Sequence, residues 1–356
     1  MIVIGVDAHS QTHTAGVVSA QTAVEVEVLT VAARPAGHER LLAWARAMDA
    51  QRLWALEDCR TLSGALERFL LVSGERTVRV PPQLMAEVRK SARASGKSDE
   101  IDAVAVARAA IREPGLPTGR LPGVEREIRL LVDHREHLLG DCTRYQRRLR
   151  SHLHELDPEL QPPLRCLGLA GNLNTLTRKL TRLPQDAQVL ICRELIRRIR
   201  ELSRRVKELE RQLGRLVRRR CPSLLKLPGC GVLCAARILA EVEAIDRFPT
   251  DGHLAAYAGV RPLKASSGEH QRHRLDHGGN RRLNQALYII AITQARIHPP
   301  ARAYLARRRK EGKNLREAIR ALKRYIARAI YRILLTGIQE VTPARPIPGS
   351  APARCL

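Results

Sequence analysis

The chain has 356 residues, 44% hydrophobic and 3% aromatic, and carries 62 Lys and Arg against 36 Asp and Glu, a net charge of +26. That length exceeds what one hydrophobic core usually organises, and so basic a balance calls for a polyanionic partner, nucleic acid first among them. No secretory leader and no apolar run able to span a bilayer can be read, which argues against secreted and membrane classes and leads to the expectation of a cytoplasmic protein in a reducing setting.

The opening reads as three short β-branched strands at about 2–7, 14–18 and 24–28. A helix follows over about 36–50, a strand over 52–56, a helix over 62–71, a strand over 77–80, and helices over 83–93 and 99–112. Three strands and then alternating helix and strand is the order of an RNase H-like α/β domain. A dinucleotide fold is excluded, because no glycine-rich turn follows the first strand.

Pro114, Gly115, Pro117, Gly119, Pro122 and Gly123 mark a linker. The charge changes across it: residues 1–120 hold 15 Lys and Arg against 14 Asp and Glu, whereas the remainder holds 47 against 22. The polyanion is therefore expected on the later part. There Val124, Ile128, Leu131, Leu138, Cys142, Tyr145, Leu149 and Leu156 keep 4-3 spacing, and Leu195, Ile199, Leu202, Val206, Leu209, Leu213 and Leu216 do so without a break. Pro158, Pro162, Pro163, Gly168 and Gly171 interrupt the two runs, which predicts an antiparallel hairpin or two arms of a coiled coil.

Leu227-Pro228-Gly229-Cys230-Gly231-Val232 before an apolar run resembles the turn of a helix-hairpin-helix. In that element Gly229 and Gly231 would let backbone N–H groups meet a nucleic-acid phosphate. The Pro- and Ala-rich end reads as a disordered tail. The expected division is thus 1–113 α/β, 120–222 coiled-coil helices, 223–335 mainly α-helical and 336–356 tail. The fold class is α/β plus α.

Asp7 ends the first strand, Glu57 follows the Trp54-Ala55-Leu56 strand, and Asp99 and Asp102 share one helix face at i and i+3. In a sheet of this order the two strand ends are neighbours, and the helix packs beside them. Four carboxylates meeting there repel one another unless divalent cations neutralise them, and two Mg²⁺ ions about 4 Å apart would also polarise a scissile phosphate. Asp58 and Glu100 adjoin these positions and are expected to face away. The eight cysteines lack the paired spacing of a zinc site.

Three stretches then carry a resemblance: Ile4-Gly5-Val6-Asp7-Ala8-His9, Ala55-Leu56-Glu57, and Gly96-Lys97-Ser98-Asp99-Glu100-Ile101-Asp102-Ala103. They resemble the RuvC-like DEDD domain of IS110-type insertion-sequence transposases, relatives of the Piv invertases. Leu227 to Gly231, Phe248 to Gly259, Arg261-Pro262-Leu263-Lys264-Ala265-Ser266-Ser267-Gly268 through Arg274, and Gly278-Gly279-Asn280-Arg281-Arg282-Leu283-Asn284 resemble that family's C-terminal transposase domain. The resemblance covers about residues 2–335. It implies Asp7, Glu57, Asp99 and Asp102 as Mg²⁺ ligands and a serine, Ser267 favoured over Ser266, as the nucleophile of a covalent phosphoserine link to DNA. It further implies double-stranded DNA of element ends and target as substrate, and a bridge RNA that chooses sequence by base pairing. The resemblance also implies a homodimer or homotetramer with the coil as dimer contact, whose composite site draws on two protomers. Asp276-His277 departs from the family's more basic pattern.

A serine hydroxyl is a poor nucleophile at neutral pH, and His270 and His273 stand near in sequence as possible assistants. Arg272, Arg274, Arg281 and Arg282 surround the serines and would grip phosphates. Arg307 to Lys310 and the row Arg316, Arg320, Lys323, Arg324 and Arg328 put charge on helix faces opposite Ile319, Leu322, Ile326 and Ile330. So few aromatic residues argue against base stacking as the main mode of recognition. Two other classes remain: a metal-dependent RuvC-like nuclease or Holliday-junction resolvase, which needs the acids and no serine, and a non-catalytic nucleic-acid-binding scaffold.

Overall fold

A computed structural model of the chain describes residues 1–57, 61–81, 84–85, 98–113, 115–121, 123–162, 166–261, 263–267, 270–274 and 278–339, of which 263–267, 270–274 and 338–339 are described without their side chains. It divides into two compact units, Met1–Gly123 and Val124–Leu356.

The first unit is a five-stranded mixed sheet in the order β3-β2-β1-β4-β5, formed by β1 Ile2–Ala8, β2 Thr12–Ser19, β3 Glu25–Ala32, β4 Arg52–Glu57 and β5 Thr77–Val80. The first three strands are antiparallel neighbours, and β4 and β5 run parallel to β1. Helices α1 Pro35–Met48 and α2 Gly64–Val72 supply Leu41, Leu42, Leu66 and Leu70 to one side, where they pack with Ile2, Ile4, Val6, Trp54 and Leu56. Helix α3 Asp99–Arg112 covers the other side with Val104, Val106, Ala107 and Ala110 against Val3 and Ala55. Central strands covered on both faces read as near-continuous apolar runs, as β1 and β4 do. This mixed α/β arrangement is consistent with the RNase H-like expectation. The helix expected over 83–93 lies outside the described residues except for Leu84 and Met85.

The close seat of α3 depends on two glycines in register, Gly5 of β1 and Gly16 of β2. A Cβ on Gly5 would lie 3.0 Å from the Ala107 Cα and nearer still to the Ala103 carbonyl oxygen, and one on Gly16 would lie 2.7 Å from Val104 Cγ2. Ser98 caps the helix by accepting from the Ile101 amide at 3.3 Å, with Asp99 in the first turn.

The second unit is helical apart from one ribbon. Helices α4 Val124–Leu156 and α6 Ala187–Arg220 lie antiparallel, as the pairs Glu125 with Arg220, Arg135 with Glu210, and Cys142 with Ser203 show. Between them α5 Ala170–Thr181 closes the far end, burying Leu173, Leu176 and Leu180 with Leu149, Leu153, Ile196 and Ile199. The heptad pattern allows a hairpin or two arms; the structure has the hairpin, with Ile128, Cys142 and Leu149 of α4 and Leu195, Ile199, Val206, Leu209, Leu213 and Leu216 of α6 buried within the one chain and the other heptad residues half-buried. At the near end Ile128, Val132, Leu213 and Val217 join a larger core made by α7 Val232–Val242, α8 Asp251–Tyr257, α9 Arg281–Ile297, α10 Pro299–Lys310 and α11 Leu315–Gln339. The last helix runs through Gln339, past the start expected for the tail, and 340–356 lie outside the described residues. No helix among the described residues is long and apolar enough to cross a membrane.

Candidate active site

Side chains alternate along a strand, so the α3 face of β1 carries Val3, Gly5 and Asp7, and that of β4 carries Leu53, Ala55 and Glu57. The parallel register Val6 to Leu56 sets the two carboxyl-bearing strand ends side by side. The N-terminal turn of α3 reaches the same end of the sheet, where the Asp99 carboxylate lies 3.3 Å from Nε2 of His9, which in turn is 3.2 Å from Oδ2 of Asp7. Asp7, His9 and Asp99 offer ligand atoms within 4.8 Å of one another, the one such group among the described residues.

Of the four acids expected from sequence, Asp7 and Asp99 are thus in this tight group. Asp102 stands one turn along α3, near enough for its charge to act on Asp7. Glu57 is the neighbouring strand end, fixed there by the Ser63 hydroxyl, which donates to its backbone carbonyl at 2.5 Å. His9 belongs to the same sequence motif as Asp7 but carries no carboxylate. The only signal for it was its spacing of two from Asp7.

Burial pushes the Asp7 carboxyl above its ordinary range; His9 opposes this, and the charges of Asp102 and Asp99 add to it. A carboxylate held in that position is stabilised by a cation, and the donor set of carboxylate oxygens with one imidazole fits a divalent one. The other buried carboxylates of this unit are matched internally: Glu75 accepts from Arg46, Arg52 and Trp54, and Glu67 from Arg79. They serve the fold, at positions removed from the strand ends.

In the second unit the serines stand on a two-stranded antiparallel ribbon, β6 Leu263–Ser267 and β7 His270–Arg274. Opposed residues share a face, so the pairs Leu263 with Arg274, Ala265 with Arg272 and Ser267 with His270 fall on one side. Lys264 with His273 and Ser266 with Gln271 fall on the other. The side chains of all ten positions lie outside the described residues.

The base of the ribbon is held by backbone contact between Gly259, at φ +64°, and Gly279, where an added Cβ would lie 2.9 Å from the Ala258 carbonyl carbon. Asn280 follows. Its Oδ1 caps α9 by accepting from the Leu283 amide at 2.9 Å, and its Nδ2 donates to the buried Glu241 carboxylate at 2.6 Å and to the Tyr257 hydroxyl oxygen at 3.0 Å.

Arg281 is exposed beside this base. Arg282 instead meets Asp133, lies 3.5 Å from Glu136 and 3.7 Å from Glu241, and so ties α9 to α4. Of the basic row on α11, Lys323 is buried and donates to the Asn284 side-chain oxygen at 2.7 Å, while Arg324 and Arg328 pair with Asp251. Ile319, Leu322, Ile326 and Ile330 are buried opposite, as their spacing implies.

Gly229 needs its positive φ of +80° and packs against the Ile290 carbonyl and Thr293, and the Pro228 carbonyl accepts from Gln294 at 2.8 Å. Gly231 is the N-cap of α7. Cys221, Cys230 and Cys234 are buried nearby, and burial pushes the Cys230 thiol up to about 12, so it stays protonated as a core residue.

Comparison with known proteins adds two family matches. Residues 4–158 match a family model described as a transposase, of the DEDD type of IS110, and residues 221–306 match the transposase IS116/IS110/IS902 family. A 44.8 kDa protein of insertion element IS116 from Streptomyces clavuligerus is 26% identical over 343 residues, 84% of this chain and 86% of that protein. A 43.6 kDa protein of IS110 from Streptomyces coelicolor is 37% identical over 118 residues, 33% of this chain and 29% of that protein's length. A pilin gene-inverting protein of Moraxella bovis is 26% identical over 121 residues, 33% of this chain and 38% of its own.

Proposed function

Because the chain belongs to the IS110 family of insertion-element transposases, we propose that it cuts and exchanges DNA strands with a divalent-cation site on its first unit and a serine nucleophile on its second. The observation that carries this reading is the meeting of Asp7 and Asp99, with the charge of Asp102 acting on Asp7, at the sheet end where Glu57 also stands. Asp7, Glu57, Asp99 and Asp102 would hold the cations, Mg²⁺ in the cell. When bound, these ions supply charge neutralisation at the scissile phosphate and lower the barrier to its attack.

Ser267 is the favoured nucleophile. By register its side of the ribbon also carries positions 270, 272 and 274, a histidine and two arginines, whereas Ser266 shares its side with Lys264, Gln271 and His273. Arg272 and Arg274 would draw a phosphate to the Ser267 side, and His270 is the nearest candidate to accept the hydroxyl proton. The serine oxygen then bonds to phosphorus as the phosphate–sugar bond breaks and the sugar hydroxyl leaves with a proton. Since one phosphoester replaces another, a later sugar hydroxyl can reverse the step and join a new strand without ATP.

Arg281 and the exposed arginines of α10 would contact phosphates, with Gly229 and Gly231 contributing turn geometry. Target choice would fall to a bridge RNA that pairs with element end and target, in a homodimer or homotetramer. The support for the RNA is the resemblance of both motif sets, together with a basic second unit poor in aromatic side chains.

The test is a recombination reaction on a plasmid bearing both element ends, with Ser267→Ala, Ser266→Ala and Asp7→Asn. Expected are loss of the protein–DNA adduct with Ser267→Ala, its persistence with Ser266→Ala, and loss of strand exchange with DNA binding kept for Asp7→Asn. Full cleavage by Ser267→Ala would favour a nuclease or junction resolvase, and full activity of Asp7→Asn would leave only a binding scaffold.

A further inference from the structure

His9 stands outside the acidic quartet, yet it is the side chain that touches two of its members. The His9 amide donates to the Thr12 carbonyl at 2.9 Å and closes the turn into β2, which places the residue two positions beyond Asp7, just past the end of the central strand. The capped first turn of α3 brings Asp99 to the same ring nitrogen. The imidazole therefore has one nitrogen, Nε2, nearly equidistant from an oxygen of each carboxylate.

We propose that His9 is a ligand of one of the cations, completing with Asp7 and Asp99 a set of two carboxylates and one imidazole. The inference rests on the divalent-cation reading above and adds to it a donor and a consequence for which ions bind. Nε2 can lie between two anionic oxygens by sharing one N–H with both. An imidazole whose N–H lies on Nδ1 would instead present the Nε2 lone pair to a cation held by the same two carboxylates.

The donor set decides the selectivity. Mg²⁺ is small and hard and favours an oxygen octahedron, whereas an imidazole nitrogen is accepted more readily by transition-metal divalent ions. An all-carboxylate quartet would separate Mn²⁺ from Mg²⁺ weakly. With His9 as ligand, the site holds Mn²⁺ more tightly than its carboxylates alone would.

The experiment uses the full chain. Wild type, His9→Ala and Asp7→Asn are titrated calorimetrically with MnCl₂ and with MgCl₂, and the Mn²⁺-loaded proteins are examined by electron spin echo for coupling to a ligand nitrogen. His9 is half exposed, so the variant is expected to fold, which a thermal melt checks. The inference expects His9→Ala to weaken Mn²⁺ binding about tenfold or more, to change Mg²⁺ binding much less, and to remove the nitrogen signal. Equal loss for both ions, unchanged Mn²⁺ affinity, or a retained nitrogen signal overturns it. Asp7→Asn separates the two readings: if it abolishes Mn²⁺ binding while His9→Ala does nothing, only the histidine's role fails. If Asp7→Asn binds Mn²⁺ as wild type does, the acidic site fails as well.

Discussion

The substitution Gly5→Ala isolates the distance on which the acidic site depends. The new methyl would lie 3.0 Å from the Ala107 Cα, and the Ala103 carbonyl oxygen is closer, so it meets the backbone of α3, which no rotamer change can relieve. Restoring ordinary contact requires the helix to retreat from the sheet by on the order of 1 Å, a shift whose cost, at the upper end for overpacking, is about 3 kcal/mol. Asp99 and Asp102 ride on that helix while Asp7 stays on the strand, so the cost falls on function as well as on stability. The measurements are urea unfolding, to read the free energy, and Mn²⁺ titration, to read the site. Expected are a clear loss of stability and a loss of cation affinity larger than that of a control such as Val26→Ala at an exposed position of β3. A Gly5→Ala protein with wild-type unfolding and wild-type cation affinity would refute the claim that glycine sets the seat of α3.

Further expectations concern other parts of the chain. His13 and His38 are buried and stacked at 5.4 Å, and burial pushes His13 down to about 4 and His38 below its usual value. Unfolded histidine takes a proton below about 6.5, whereas folded His13 resists until about 4, so stability falls as pH drops through that window, by at most about 3 kcal/mol for His13. Urea midpoints between pH 7.5 and 4.5 should show a shallower slope for His13→Leu than for wild type, and equal slopes would refute this. Ile199→Ala, at a fully buried heptad position, should cost about 2–4 kcal/mol, and the loss should not depend on protein concentration, since the seam closes within one chain. Arg282→Met should cost about 1 kcal/mol, its side chain being partly screened by solvent, and should leave the salt dependence of DNA binding unchanged, because its partners are Asp133, Glu136 and Glu241. Arg309→Ala, by contrast, should reduce the slope of log affinity against log salt by about 0.9; unequal behaviour in the opposite sense would reverse the two assignments.

The parts legible in the sequence were those fixed by local pattern. Asp7 and Glu57 could be placed because each stands at the end of a short apolar strand, and Asp99 with Asp102 because i and i+3 share a helix face. The heptads of α4 and α6 were equally plain, but a heptad names a buried stripe and says nothing of what covers it. Pairings between distant residues were not legible: Arg282 and Asp133 are brought together only by the packing of α9 on α4, and a count of arginines near the serines could not separate Arg281 from Arg282. The same holds for Lys323, whose place in a basic row gave no sign that it would be buried against Asn284. Nor was the serine ribbon read as strands, since its ten described positions are short and polar, and the side on which Ser267 falls follows from pairing across the ribbon.

The hairpin of α4 and α6 has a consequence for reach. Arms of 33 and 34 residues make a rod about 50 Å long, rooted at one end in the helices around Leu239 and Ile290 and finished at the other by a small core of its own. Because the stretch between is a repeating seam, seven residues added to both arms would slide the outer end away by about 10 Å with every side chain keeping its partner type. The number of heptads between root and outer end thus sets the span of the hairpin, and that number can change without altering the core at either end.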